Sequence, residues 1–564
     1  MRTFLSRLGL LFLLAGAPAC AVQEALAPTP TGAATEHTAM VAAANPHAVE
    51  AGLDALRNGG NAMDAAIAVQ TVLSLVEPQS SGLGGGAFML YRDAATGEIT
   101  VYDGRERAPM AADETLWLDE EGEPLPFLTA WTSGRAVGVP GVIAMLAMAH
   151  EDHGARDWAE NFTFAERLAE DGFAISPRLH SLILRAQQIG PIEDLPASGA
   201  YFFDENGNAF PVGHVLANPD YAESLRLIAA DWRNFYEGPL AAEIVAAVGA
   251  GDVPGAMTLD DLAAYTPVRR AAICRDYRGY DVCSAPPPAS GGIALNQILG
   301  LLEPYDMAAT GPETEEGWRR FIEASRLAYA DRDAYVAAPE AMTVTPGALL
   351  DEDYIAARAA LIDRDTAIPH VPAGEPDIPG TSHFVIVDAH GNVVSMTATV
   401  EFLFGSNRMA GGFFLNNQMT DFNFDPRDED GRLHPNAPGS GKVPRSSMSP
   451  TIILDGEGEF YMGVGSPGGS SIIAYVAKTI VGVIDWGLTP QAAIELPNVV
   501  ARGDVVRVEE TYPAELLEAL ADKGFQLDAN RSENSGLHAI RRLDDGTLDG
   551  GADPRREGVV GQLE

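Results

Sequence analysis

Thr381 follows Pro379-Gly380 and opens an extended run, and a second threonine, Thr399, stands where it can face the first. Residues 384–387 are apolar and largely β-branched, DAHGN (388–392) is turn chemistry, and 393–400 is a second extended run rich in Val, Thr and Ser. A hairpin closed by that turn sets Val387 against Val393, and so Thr381 against Thr399, hydroxyl within reach of hydroxyl. Cutting the chain before Thr381 would turn its nitrogen into an α-amine that titrates near pH ~8. Such an amine is a base attached to its own nucleophile, able to take the hydroxyl proton during attack on a carbonyl. Threonines are common in ordinary surface strands, so the hairpin alone does not decide for chemistry.

Other stretches carry residues of chemical interest. Gly463, Gly465 and Gly468 form a G-x-G-x-x-G between a strand (460–464) and a helix (470–483). A nucleotide site would also need a parallel βαβ setting and a ribose-binding acid, and neither is present. The same geometry serves as an anion hole, with backbone N–H groups at a helix start aimed at an oxyanion. SSGLGGG (80–86) leads into a strand at 87–91, and no Lys follows as a phosphate loop requires, so its glycines read as close backbone packing. No G-x-S-x-G occurs, which removes an α/β-type serine hydrolase. His150, Glu151 and His153 end a helical stretch and read as solvent-facing rather than as metal ligands. No Cys or His set has zinc spacing, so neither metal nor cofactor is expected. Cys274 and Cys283 lie in one hairpin, where a turn at Arg278-Gly279 makes them a directly facing, non-hydrogen-bonded pair, the closer kind. In an oxidising compartment they can form a disulfide; two free buried thiols are the alternative.

The motifs around Thr381 shift the balance. TSHFVIVDAHGN (381–392), FGS (404–406), LNNQMTDF (415–422), PRSSMSPTI (444–452) and GSPGGS (465–470) follow in order. Upstream stand GGNAMDAAIAVQ (59–70), SSGLGGGAFML (80–90), GRERAP (104–109), PPPASGGI (286–293) and LAYADRDAY (327–335). Together they closely resemble the γ-glutamyltransferases, members of the N-terminal-nucleophile (Ntn) hydrolase superfamily. The resemblance implies a mixed α/β fold, a four-layer αββα sandwich of two antiparallel sheets with helices outside. It implies a precursor that cuts itself between Gly380 and Thr381, giving a heavy chain (25–380) and a light chain (381–564) that build one unit. By that resemblance Thr381 attacks the γ-carbonyl of a glutamyl compound such as glutathione, and Thr399 holds or polarises its hydroxyl. Gly468 and Gly469 give N–H groups to the oxyanion, and water or an amino-acid or peptide acceptor takes the glutamyl group. Arg105, Ser446 and Ser447 then meet the substrate α-carboxylate, and Glu401, Gln418 and Asp421 its α-ammonium. Some bacterial members carry a tyrosine-bearing insertion over the pocket; here 423–443 is short and has no tyrosine, so an open site is expected.

The rest of the chain must position these groups. Residues 1–24 have Arg2 and Arg7, a short apolar run and small residues around 17–20, an export signal cut near 19–22. Cys20 could be lipidated, although Ala17 and Pro18 fit a lipoprotein signal poorly. A soluble, exported protein, periplasmic or extracellular, with no transmembrane segment, is the expectation. A composition 46% hydrophobic and 21% charged is that of a globular chain. The net charge of −42, from 79 acids against 37 bases, excludes a basic nucleic-acid footprint. Helices are expected from 51 to 75 with a break at 58–61, and at 142–153, 164–171, 181–188 and 221–248. The proline-bearing stretch 351–379 reads as ending in an exposed linker. Two rival functions are a cephalosporin (glutaryl) acylase of the same superfamily and an inactive exported binding protein. The acids Glu401 and Asp421 oppose the first, because a glutaryl group has no ammonium. The intact Thr381, Thr399 and Gly468-Gly469 set opposes the second.

Overall fold

Asn45 opens the fold's helical layer: its side chain accepts from His47 N, Pro46 takes the first helical position, and the helix Pro46–Arg57 runs to the Asn58-Gly59 stop. Asn61 and Asp64 form a capping box that starts the next helix, Ala62–Val76, buried along its whole length. The computed structural model describes residues 38–364, 366–370, 380–529 and 535–563, all within one compact unit. The expected export signal, Cys20 and residues 371–379 of the linker lie outside the described residues.

Two antiparallel sheets form the middle layers. The first has seven strands in the order Val559–Gln562, Met40–Ala43, Gly380–Val387, Val393–Glu401, Gly86–Arg92, Ile99–Gly104, Val268–Ala271. The second has six, Leu548–Ala552, His538–Arg542, Phe460–Gly465, Thr451–Leu454, Tyr280–Ser284, Ile273–Tyr277. Strand alternation sorts the side chains: Phe384 and Ile386 join the cluster under Pro46–Arg57 and Ala62–Val76, while Val385 and Val387 join Ile452, Met462 and Val464 between the sheets. Helices Gly291–Leu302 and Ile472–Ile484 cover the outer face of the second sheet, and Glu315–Tyr335 packs on the former. This is the expected αββα sandwich.

Several expectations need correction. The stretch 221–248 is not one helix: Pro219–Ala230 ends at Asp231, a short 3-10 turn Trp232–Phe235 follows, and Pro239 starts Pro239–Val248. Proline lacks the N–H needed inside a helix, so it restarts one instead. His150 and His153 turn inward: His150 Nε2 lies 3.0 Å from Arg156 O, and His153 stacks on Tyr91 at 3.9 Å between ring centroids. The stretch from 351 begins with the helix Glu352–Ala359, Ile355 and Ala359 buried, and the expected linker at its end lies outside the described residues. Among the described residues no group of His, Cys, Asp and Glu could hold a metal ion.

At the outer edge of the second sheet, Tyr277 pairs with Tyr280 across Arg278 (φ 58°) and Gly279 (φ 82°). Cys274 then faces Cys283 at a Cα separation of 4.0 Å, and their sulfurs are joined.

Candidate active site

The nucleophile hairpin is pinned at both ends. At its turn, Asp388 Oδ1 accepts from His390 N and Asn392 N, and Asp388 Oδ2 accepts from Ala62 N at 3.0 Å, tying the turn to a helix start. The register runs Val387↔Val393 to Thr381↔Thr399, then slips at a β-bulge that sets Glu401 opposite Gly380. Glu401 takes φ 80°, a conformation costly for a side chain other than glycine, and the bulge turns its carboxylate toward the cavity.

Hydrogen bonding assigns the proton of each hydroxyl. Thr399 Oγ1 accepts from Glu401 N at 2.8 Å and donates to Gly380 O at 2.7 Å. Its single proton is thereby used, so the 3.2 Å contact between the two hydroxyls has Thr381 as donor. Thr399 thus links the Thr381 hydroxyl to the carbonyl just upstream of it. Arg556 Nη1 holds Thr381 O from behind at 3.0 Å. Thr381 and Thr399 are 4% and 2% exposed, so water reaches them only through the cavity they line.

That cavity, of about 470 Å³, is lined by Arg105, Thr381, Thr399, Glu401, Gln418, Asp421, Ser446, Ser447 and Gly469. Of the residues singled out in sequence, Gly468 is not on its surface. Its φ of 143° instead swings the chain into the 3-10 turn Gly469–Ser471 that begins Ile472–Ile484. Gly380 lies behind Thr381, its carbonyl on Thr399.

Arg105 is already engaged. Its Nη2 donates to Asp421 Oδ2 and, at 3.0 Å, to Arg445 O; Nε reaches Pro444 O at 3.4 Å; Nη1 lies 3.4 Å from Glu106 Oε2. A guanidinium only 1% exposed cannot be left unneutralised, which explains the pairing. Gln418 Nε2 adds a bond to the same Asp421 oxygen at 2.6 Å. Glu401 Oε2 accepts from Asn417 Nδ2 and lies 3.2 Å from Thr420 Oγ1. One end of the cavity therefore holds two carboxylates and one guanidinium. Ser446 O takes bonds from Ser290 N and Oγ, and Ser447 Oγ accepts from Arg332 Nη2.

Sequence reasoning passed over several residues that build this site. Glu106 is fully buried beside Arg105; burial pushes its carboxyl up to about 8 against the pull of that arginine, so it is protonated near neutral pH. Asn417 also accepts from Phe402 N at 2.9 Å, fixing the far side of the bulge. Arg332, Arg445 and Arg502 line the cavity as well. The motifs GRERAP, LNNQMTDF, PRSSMSPTI and LAYADRDAY contain all of these but Arg502, and position within a motif was the available signal. The glycine-rich loop is a packing device as expected: a Cβ on Gly85 would lie 2.0 Å from Thr399 O, and one on Gly86 2.2 Å from Glu106 Oε2.

Residues 48–563 match the family model described as Gamma-glutamyltranspeptidase. The glutathione hydrolase proenzyme of Bacillus subtilis (strain 168) is 36% identical over 546 residues, covering 92% of this chain and 91% of its own length. That of Escherichia coli (strain K12) is 36% identical over 576 residues, with 98% of each chain covered. The crystal structure of a cephalosporin acylase from Bacillus halodurans superposes with a TM-score of 0.83 at 29% identity, over 96% of this chain and 99% of that one.

Proposed function

The chain belongs to the gamma-glutamyltranspeptidase family, and from that premise we propose that it is a proenzyme whose mature form is a glutathione hydrolase and γ-glutamyl transferase. The observation that carries the reading is the hydroxyl pair: Thr399 joins the Thr381 hydroxyl to the Gly380 carbonyl at the wall of a cavity with charged recognition groups. In maturation, Thr381 Oγ1 attacks the Gly380 carbon, with Thr399 donating to the carbonyl oxygen as it gains negative charge. The C–N bond to Thr381 breaks, its nitrogen takes up the proton given up by the hydroxyl and leaves as the α-amine, and water hydrolyses the resulting ester.

The freed amine then serves as base for the same hydroxyl, which attacks a γ-glutamyl carbonyl. An acyl-enzyme forms as the leaving amine departs with a proton, and water or an acceptor amine releases the glutamyl group. The Gly468-Gly469 turn, which reaches the cavity at Gly469, supplies backbone N–H to the tetrahedral oxyanion, a role worth ~3–4 kcal/mol per donor. Glu401 and Asp421 attract the substrate ammonium. Arg105, with Ser446 and Ser447, serves the α-carboxylate, and Asp421 exchanges part of its Arg105 pairing for the ammonium. Glutathione and amino-acid or peptide acceptors are the small-molecule partners, and the two chains of one precursor remain associated.

Export to an oxidising compartment is part of the proposal, supported by the signal-like residues 1–24 and by the joined Cys274 and Cys283. No helix among the described residues is long and apolar enough to cross a membrane.

The likeness to a cephalosporin acylase makes glutaryl transfer the second reading. A glutaryl group brings no ammonium to Glu401 and leaves Asp421 with its Arg105 pairing, so it forgoes charge-assisted hydrogen bonds worth ~1.5–3 kcal/mol each. We therefore expect the unmodified enzyme to prefer γ-glutamyl over glutaryl anilide by about a hundredfold or more in kcat/KM. Equal values for the two anilides overturn the ammonium-site assignment in favour of the acylase.

A further inference from the structure

Behind Thr381 lies a buried guanidinium that the mechanism above leaves unused. Arg556 Nη1 donates to Thr381 O at 3.0 Å, and the residue is 8% exposed. Its neighbour Arg555 serves other groups, donating to the two oxygens of Glu509 at 2.5 and 2.7 Å and to Asp553 Oδ1 at 3.1 Å. Asp553 therefore has an arginine of its own, and Arg556 is committed to the nucleophile. A Cβ on Gly536 would lie 2.7 Å from both Arg556 Cδ and Pro467 Cγ, so glycine there gives the arginine stem room beside the oxyanion turn. Burial, with Arg178 beside it, brings Arg556 down to about 9, and it stays charged at neutral pH.

The carbonyl oxygen and the nitrogen of one residue lie about 3 Å apart, so once the chain is cut the Thr381 α-amine stands within about 6 Å of this fixed cation. A like charge at that range, in a buried site, disfavours protonation of the amine. Arg178, Glu77, Asp553 and Tyr475 are the charged or titratable neighbours of Arg556. Glu77, on the turn after helix Ala62–Val76, lies 3.8 Å from Arg178, and burial pushes its carboxyl up; Glu557 accepts from Arg178 N at 3.2 Å. Glu401 stands opposite Gly380 on the facing strand. Across the cavity are the Arg105–Asp421 pair and the three arginines around Asp333, Arg332, Arg445 and Arg502. His383, two residues along the same strand, and His538, on the second sheet, are held by burial below the ordinary histidine value and are neutral at neutral pH. Arg556 is bonded directly to Thr381.

Resting on the reading of Thr381 as nucleophile, we propose that Arg556 is a positioning residue that keeps the Thr381 α-amine in its free-base form at neutral pH. Its hydrogen bond to Thr381 O fixes the backbone of that residue, and its charge opposes the second positive charge that a protonated amine brings. The free amine takes the hydroxyl proton as Thr381 Oγ1 attacks the γ-glutamyl carbonyl, and passes it to the departing amine. The ammonium formed between those two transfers stands beside the new oxyanion, which offsets it.

The test is the pH dependence of kcat/KM for γ-glutamyl-4-nitroanilide, whose acid limb reports the essential base of the free enzyme, with intact mass first confirming that each variant has matured. In the unmodified enzyme the limb has its midpoint below the ~8 of an ordinary α-amine. Arg556→Gln moves the midpoint up by about one pH unit or more, with kcat/KM recovering on the alkaline side. Arg556→Lys keeps a positive charge at that place and moves it less. A limb that Arg556→Gln leaves in place, with kcat/KM lowered equally at every pH, overturns the proposal and reduces the arginine to a structural support. If Arg556→Gln does not mature, the unmodified enzyme decides: a midpoint at or above about 8 overturns the proposal, and one clearly below it upholds it. If a matured enzyme turns over no γ-glutamyl anilide, it is the functional reading that fails, and the same limbs are then read on the glutaryl anilide.

Discussion

In the hairpin of Gly380–Val387 and Val393–Glu401 the facing pair, Thr381 and Thr399, lies inside a sheet, with Met40–Ala43 on one flank and Gly86–Arg92 on the other. In the hairpin of Ile273–Tyr277 and Tyr280–Ser284 the facing pair, Cys274 and Cys283, lies at a sheet edge, and among the described residues Ile273–Tyr277 has a neighbour on one side only. The register rule is the same in both. In the interior, flanking strands and buried faces fix the register, so the two hydroxyls need no covalent link between them, only a 3.2 Å hydrogen bond, and stay available for chemistry. At the edge, where half of that packing is missing, a covalent link joins the pair.

Each side of this contrast can be broken in turn. The largest effect is expected from Thr381→Ala, which removes the nucleophile and leaves the flanking strands in place. Intact mass should show one uncut chain with no turnover of any γ-glutamyl anilide; a two-chain product would assign the cut to an outside protease. Gly85→Ala comes next, since its Cβ has no room beside Thr399 O at 2.0 Å. A displacement of about an ångström in a reacting group costs ~10²-fold, so maturation followed by mass over time should slow by that order. The smallest effects compare the two hairpins as structure. Ile386→Ala empties a fully buried site and should cost about 2–5 kcal/mol in denaturant unfolding. Cys274→Ser with Cys283→Ser opens a loop of sequence separation 9, worth at most about 2–3 kcal/mol, and should leave kcat/KM unchanged. Loss of activity in the serine pair would show that the edge hairpin reaches the site after all.

The hairpins were readable because period-2 patterns and turn residues act locally: DAHGN and Arg278-Gly279 each set a register without help from the rest of the chain. The glycines of 80–86 were legible as a packing device by what they lacked, a following lysine. Charge partnerships were not legible. Nothing in GRERAP says that Arg105 pairs with Asp421, far along the chain, or that the neighbouring Glu106 is buried deeply enough to hold its proton. Those outcomes depend on desolvation, which exists only once the layers have packed. The inward turn of His150 and His153 was missed for the same reason: a helix end read as solvent becomes a contact when Tyr91 arrives from a strand and the chain folds back at Arg156. The bulge at Glu401 also had no local mark, since glutamate does not advertise a positive φ as glycine would.

The order of strands in the first sheet has a bearing on what holds the mature protein together. Once the chain is cut as proposed, Val559–Gln562 belongs to one product, Met40–Ala43 to the other, the nucleophile hairpin to the first again, and Gly86–Arg92 onward to the second. The two polypeptides are plaited rather than docked, so no plane exists along which they can part. Dilution should not separate them, because dissociation requires tearing three rows of backbone hydrogen bonds from the middle of a sheet. The pair behaves as a single molecule whose covalent break carries no mass-action penalty, and halves made separately would have to weave themselves together strand by strand.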